Sequence, residues 1–138
     1  MKKRVLFLCV NNSCRSQMSE GILRHFGGDL FDSFSAGSEP TLVNPNAIKV
    51  LSELGIDVSS QRSKSADEFT GQKFDYVVTT CDEAKDACPV FHAEIKNIHL
   101  NLTDPGTAEG TKEEVLVQFR AVRDEIKEFV VNLVKNGS

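Results

Sequence analysis

The sequence predicts a small doubly wound α/β domain with a four-stranded parallel sheet, and three observations lead there. Short apolar runs alternate with amphipathic helical stretches along the whole chain, the pattern of repeated β-α units. The first and third apolar runs, Val5-Leu6-Phe7-Leu8 and Tyr76-Val77-Val78-Thr79-Thr80, are continuous rather than alternating, as in parallel strands covered on both faces. No repeat, low-complexity stretch or Pro/Ser-rich linker divides the 138 residues, so a single domain over 1–138 is expected.

Each element follows from local pattern. A strand over 5–8 leads to a helix over 16–26, with Met18, Ile22, Leu23 and Phe26 on one stripe and Gly27-Gly28 as its end. A short strand covers 31–35. Asn44 and Pro45 supply an N-cap and a first-turn proline for a helix that carries Ala47, Ile48, Leu51 and Leu54 and stops at Gly55. Residues 59–73 are polar and read as a loop with one short helix near 65–69. The third strand spans 76–80. The fourth spans 95–102, where Ile98, Leu100 and Leu102 alternate with Asn97, His99 and Asn101 in the manner of a partly exposed edge. Thr111 and Glu114 form a capping box for a last helix, whose Val115, Phe119, Val122, Ile126, Phe129 and Leu133 recur every three or four residues and should pack on the sheet.

Composition removes several function classes. Sixteen Lys+Arg against 20 Asp+Glu give a formal net charge of -4, which argues against a nucleic-acid partner. The longest apolar run, Val5 to Val10, falls far short of the roughly 20 residues that span a bilayer, and it enters Asn11, Asn12 and Ser13 rather than a cleavage site. A cytoplasmic location is therefore expected, a reducing compartment where four cysteines are chemical or metal-binding rather than structural, and the chain is expected to act as a monomer. His25, His92 and His99 have no metal-ligand spacing with one another or with the cysteines, and no metal site is expected.

In doubly wound sheets ligands sit beyond the carboxyl ends of the strands, where strand order reverses. Cys9 follows the first strand, Cys81 the third, and Asp104-Pro105 the fourth. From Cys9 the chain reads Cys-Val-Asn-Asn-Ser-Cys-Arg-Ser, ending at Ser16. A loop winding into a helix N-terminus turns backbone N–H groups toward one point and attracts a tetrahedral oxyanion, which makes Val10, Asn11, Asn12, Ser13, Cys14 and Arg15 the expected oxyanion-binding residues. Arg15 adds a planar fork that holds two oxyanion oxygens at once. The same field favours a thiolate at Cys9, the expected nucleophile, and Ser16 is placed to hydrogen-bond that sulfur. A buried strand-end cysteine beside a surface arginine is the plainer account of this pair; its position between a buried strand and a helix start favours the chemical one.

The Cys9 to Ser16 pattern resembles the C-x5-R-S signature of the low-molecular-weight protein tyrosine phosphatase superfamily. The run from Asn12 to Gly21, Ser35-Ala36-Gly37, Val43-Asn44-Pro45, and the segment from Cys81 to Cys88 with Pro89 are similar to the thioredoxin-coupled arsenate reductases built on that fold. The likeness extends from Val5 to the last helix and is loose only over 59–73. It implies a phosphatase-type oxyanion loop after the first strand, arsenate as substrate, no tightly bound cofactor, and reduced thioredoxin as electron donor. It further implies a relay in which Cys9 attacks arsenic, Cys81 and then Cys88 resolve, and a Cys81–Cys88 disulfide passes to thioredoxin. Asp104 is the implied general acid, since phosphatases of this superfamily carry an Asp-Pro pair there; read alone, Asp104-Pro105-Gly106 is also an ordinary turn.

That relay carries a geometric condition. Two helical turns over 82–88 would hold the Cα atoms of Cys81 and Cys88 about 10 Å apart, against roughly 4.4 to 6.8 Å in a disulfide, so the segment must unwind for the bridge to close. Cys14 stays open between filling the loop's inner wall and trapping an oxidised Cys9. Some related reductases bind potassium through an amide, a glutamate, a serine and an aspartate; Asn12, Glu20 and Ser35 match three of these and Lys64 stands at the fourth, which leaves potassium unassigned. The alternative reading is a low-molecular-weight tyrosine phosphatase using Cys9, Arg15 and Asp104. The chain has no Trp and one Tyr, with Gly106 where related phosphatases have tyrosine, which weighs against a phosphotyrosine ring as substrate.

Overall fold

The sheet is built outward from its first strand. In the computed structural model, which describes residues 2–81 and 91–136, β1 (Lys3–Cys9) pairs in parallel with β2 (Phe31–Gly37) on one side and β3 (Phe74–Thr79) on the other. Strand β4 (Ala93–His99) closes the order β2-β1-β3-β4, again in parallel. Because Val5, Leu6, Phe7 and Leu8 point alternately to the two faces and are all fully buried, β1 needs cover on both sides, and it has it.

One face meets three helices. Val5, Phe7, Tyr76 and Val78 share a core with Met18 and Ile22 of α1 (Arg15–Gly27), Val50 and Leu51 of α2 (Pro45–Ser52), and Phe119, Ile126 and Val130 of α3 (Lys112–Asn136). Each such large side chain, fully buried, contributes roughly 1.5–3 kcal/mol. On the other face Leu6, Leu8 and Val77 join an aromatic cluster, in which Phe34, Phe69 and Phe74 meet edge to face at centroid distances of 5.6–5.9 Å. Phe69 comes from a 3-10 turn over Ala66–Phe69, the short helix expected near 65–69, started by Ser65 Oγ accepting from the Asp67 N–H at 3.1 Å.

The expected caps form. Asn44 Oδ1 accepts from the Asn46 N–H at 2.8 Å with Pro45 in the first turn of α2. Thr111 and Glu114 exchange the two hydrogen bonds of a capping box, at 3.1 and 3.2 Å. Gly55, at φ +77°, takes the left-handed turn that ends the α2 region, although the helix itself stops at Ser52 rather than running to Leu54.

Several expectations need correction. Phe26 is 38% exposed instead of buried on the α1 stripe; it is exposed together with Arg24 and His25, while Gly27 beyond it is buried, and its ring packs edge to face on His25 and under the Lys127 ammonium. Helix α3 shares the core under the sheet face as expected and also lies along α1 and α2, clasped to the end of α2 by Arg120 and Arg123, which both reach Glu53 at 2.8–3.0 Å. Strand β4 covers 93–99, not 95–102, and Leu102 reaches the core from beyond it. Its Glu94, Ile95, Lys96 and Asn97 are exposed, as an edge strand requires.

Candidate active site

Strand order reverses between β1 and β3, so a crevice opens beyond their carboxyl ends. There the chain leaves β1 at Cys9, turns through Asn12 at φ +49°, and enters α1 at Arg15. Asparagine is among the few side chains that tolerate this left-handed backbone. Asn12 is fully buried, and both ends of its side chain are hydrogen-bonded: Nδ2 donates to Ser16 Oγ at 2.8 Å, while Oδ1 accepts from Gln17 Nε2 and from the Lys64 backbone N–H, both at 2.7 Å.

These bonds converge on Cys9. Its Sγ accepts from the Asn12 backbone N–H at 3.2 Å and lies 2.8 Å from Ser16 Oγ. Ser16 Oγ accepts from Asn12 Nδ2, which leaves its own proton free to be donated to a Cys9 thiolate. Arg15 is only 3% exposed; it donates to the Leu102 carbonyl at 3.3 Å and faces Asp104 Oδ2 at 3.7 Å. Asp104 Oδ1 in turn accepts from the Gly106 N–H at 2.9 Å, so the carboxylate is held at the start of a 3-10 turn, Pro105–Thr107. Asp104 is thus the turn residue the sequence allows, with its other carboxyl oxygen turned to the arginine.

A cavity of about 220 Å³ lies over this constellation. Of the expected residues, Cys9, Asn11, Ser13, Cys14, Arg15 and Asp104 line it; Val10, Asn12, Ser16 and Cys81 do not. Thr41, Asn44, Gly106 and Thr107 complete the lining; the sequence singled out Asn44 only as a helix cap and a point of family likeness, and Gly106 only for the tyrosine it replaces. Asn44 carried a signal, since a capping asparagine directs its helix start toward the same crevice, but Thr41 and Thr107 carried none. Among the described residues no aromatic side chain lines the cavity.

Cys81 is fully buried two residues beyond β3. The β1–β3 register sets Leu8 opposite Thr79, and Cys81 Sγ lies 3.9 Å from the Leu8 carbonyl oxygen, on the same rim as Cys9. Cys81 is disulfide-bonded, whereas Cys9 and Cys14 are free. Cys88 and the expected switch over 82–88 lie outside the described residues.

Burial pushes the Cys14 thiol up to about 12, with the nearby Asp104 and Cys9 acting in the same direction against the Ser13 hydrogen bond and Arg15. Cys14 therefore stays a protonated wall group. Its folded-state value lies above the ordinary 9.0, so the stability it confers is complete below pH 9 and is lost as pH rises toward 12. Urea unfolding at pH 8 and 10.5 should show a fall with pH that Cys14→Ala lacks, the gap growing by up to about 1.4 kcal/mol per pH unit above 9. Parallel pH slopes would refute this.

Behind the loop, the buried Glu20 carboxylate is met by Ser35 Oγ, by Arg24, and by Lys64 Nζ at 3.3 Å, so the Lys64 ammonium occupies the surroundings of Asn12, Glu20 and Ser35. Among the described residues no group of three or more His, Cys, Asp or Glu comes together to hold a metal, and no helix is long and apolar enough to cross a membrane.

Residues 4–136 match the model of the low molecular weight phosphotyrosine protein phosphatase family. An arsenate reductase of Halalkalibacterium halodurans is 46% identical over 99% of this chain and 98% of its own. The solved structure of an arsenate reductase in the phosphate binding state superposes with a TM-score of 0.82 at 35% identity, covering all of both chains. A thioredoxin-dependent arsenate reductase of Corynebacterium glutamicum is similar at 26% identity and a TM-score of 0.65, over 95% of this chain and 63% of that one.

Proposed function

The chain belongs to the low-molecular-weight arsenate reductases of the phosphotyrosine protein phosphatase superfamily, and on that footing we propose that it reduces arsenate to arsenite by passing oxidation along three cysteines. The observation that carries this reading is a second buried cysteine, Cys81, beside the oxyanion loop and already in a disulfide while Cys9 is free. A phosphatase has no use for it.

Arsenate enters the cavity, where loop N–H groups and the Arg15 fork hold its oxygens. Cys9 Sγ attacks arsenic; one oxygen departs as water, with Asp104 supplying its proton. The Cys81 thiolate then attacks Cys9 Sγ. The S–As bond breaks with its electron pair going to arsenic, which leaves as arsenite, and a Cys9–Cys81 disulfide remains. Attack by Cys88 on Cys81 releases Cys9 and moves the disulfide to Cys81–Cys88. A thioredoxin dithiol reduces it in the cytoplasm, where the chain acts as a monomeric single domain over 1–138 without a bound cofactor. A free Cys9 beside a disulfide at Cys81 is the state expected once Cys9 has been released.

The absence of aromatic lining favours a bare oxyanion over a phosphotyrosine ring. With thioredoxin, thioredoxin reductase and NADPH, arsenate should drive NADPH oxidation with one arsenite formed per NADPH consumed. Hydrolysis of an aryl phosphate should proceed far more slowly. Brisk phosphate release without arsenate-dependent NADPH oxidation would overturn the assignment in favour of a phosphatase.

A further inference from the structure

The oxyanion loop turns its carbonyls away from the cavity, and a neighbouring segment holds them there. The Glu39 N–H donates to the Val10 carbonyl at 2.8 Å, Thr41 N–H to Asn11 at 3.2 Å, and Asn44 N–H to Ser13 at 3.0 Å. In a planar trans peptide the C=O and the following N–H point in opposite directions. Anchoring those three carbonyls outward therefore aims the N–H groups of Asn11, Asn12 and Cys14 inward. The Asn12 N–H bears this out, since it meets Cys9 Sγ.

The grip is reciprocal. Asn11 Nδ2 donates to the Glu39 carbonyl at 3.0 Å, and Ser63 Oγ accepts from the Thr41 N–H and donates to the Asn11 carbonyl, both at 2.9 Å. Where the segment starts, Gly37 is pressed so close that an added Cβ would lie 2.4 Å from the Val10 oxygen and 2.9 Å from Asn12 N. Residues 38–44 have no regular secondary structure and 38–42 are exposed, so these bonds are not the by-product of a helix or strand.

We propose that residues 38–44 are a backbone clamp that presets the oxyanion hole, with Glu39 and Ser63 as positioning residues. The proposal rests on reading residues 9–16 as an oxyanion loop and adds what keeps that loop in its binding form. Released from the clamp, the Val10–Asn11 and Asn11–Asn12 peptides can rotate and present carbonyl oxygens to the anion, replacing attraction by repulsion; donors fixed in advance avoid that reorganisation. By linkage, an anion that fixes the loop tightens the clamp by the same factor.

Glu39→Pro removes the donated N–H, and because Glu39 precedes Pro40 it is already biased to the extended backbone that proline shares. Glu39→Ala keeps the N–H and serves as its reference. Titrating both with inorganic phosphate, Glu39→Pro should bind about tenfold more weakly than Glu39→Ala, the effect of about one hydrogen bond, with similar unfolding midpoints. Equal affinities would overturn the clamp and leave the oxyanion-loop reading standing; failure of the wild type to bind phosphate or arsenate at all would overturn both. Should Glu39→Pro not fold, amide exchange on the wild type decides: Glu39, Thr41 and Asn44 should slow severalfold as phosphate saturates, and unchanged exchange would sink the proposal.

Discussion

Changing Cys9, Cys81 and Cys88 singly to serine should abolish sustained arsenate reduction in all three variants, each by about 10⁴-fold or more, as when one member of a nucleophilic set acting as a unit is removed, yet the three should fail at different points. Cys9→Ser forms no adduct and no arsenite. Cys81→Ser still captures arsenate on Cys9 but lacks the thiol that ends β3 on the rim beside it, and Cys14 is buried and held protonated. Cys88→Ser completes the first displacement, so it should release up to one arsenite per enzyme and stop with a Cys9–Cys81 disulfide visible by peptide mapping. Quenched-flow counting of arsenite per enzyme separates these outcomes. Multiple turnovers by Cys81→Ser would end the relay as an account of this enzyme, and a Cys88→Ser protein that cycled normally would remove its last step.

The chemistry was legible in the sequence where it is contiguous. Strand, loop and helix start follow one another from Val5 to Ser16, so a buried run, a cysteine, an arginine and a helical stripe could be read off a single window. Cys81 was placed by the same logic, because a parallel strand next to β1 must end on the same rim. What escaped was set by tertiary packing. Thr41 and Thr107 are short polar side chains brought to the cavity by segments without periodicity. The Lys64–Glu20 pair joins positions 44 apart with no local pattern linking them, and only the family resemblance had set the two residues at one site. Strand β2 runs on through Ala36 and Gly37, poor strand formers, because all seven of its residues pair with β1. Phe26 failed for the opposite reason: helical spacing continues the stripe, but the neighbours that bury Leu23 and Gly27 leave Arg24, His25 and Phe26 exposed between them. In each case a local rule was obeyed and a distant neighbour, present or missing, decided the outcome.

Arg15→Lys should keep the charge and lose the function, which makes it a sharper test of the site than removal of the side chain. The guanidinium lies 3% exposed between the Leu102 carbonyl and Asp104, with its fork facing the cavity above Cys9. An ammonium on a flexible stem is a point charge that cannot bond two oxyanion oxygens in one plane. Charge-assisted hydrogen bonds contribute about 1.5–3 kcal/mol each; with part of the attraction retained, kcat/KM for arsenate should fall about 10²- to 10³-fold at 1.4 kcal/mol per factor of ten. Binding of phosphate gives an independent reading. At a phosphate concentration 100 times the wild-type Kd, the wild type gains about 2.7 kcal/mol of stability, whereas a variant with a Kd raised about 100-fold gains only about 0.4 kcal/mol, a difference plain in thermal unfolding. The split between constants then locates the fork's action: a higher KM at unchanged kcat means that it grips substrate and transition state alike, while a lower kcat means that it acts as the As–S bond forms. A variant within threefold of wild type in kcat/KM, with its phosphate stabilisation intact, would show that the loop N–H groups bind the anion without Arg15.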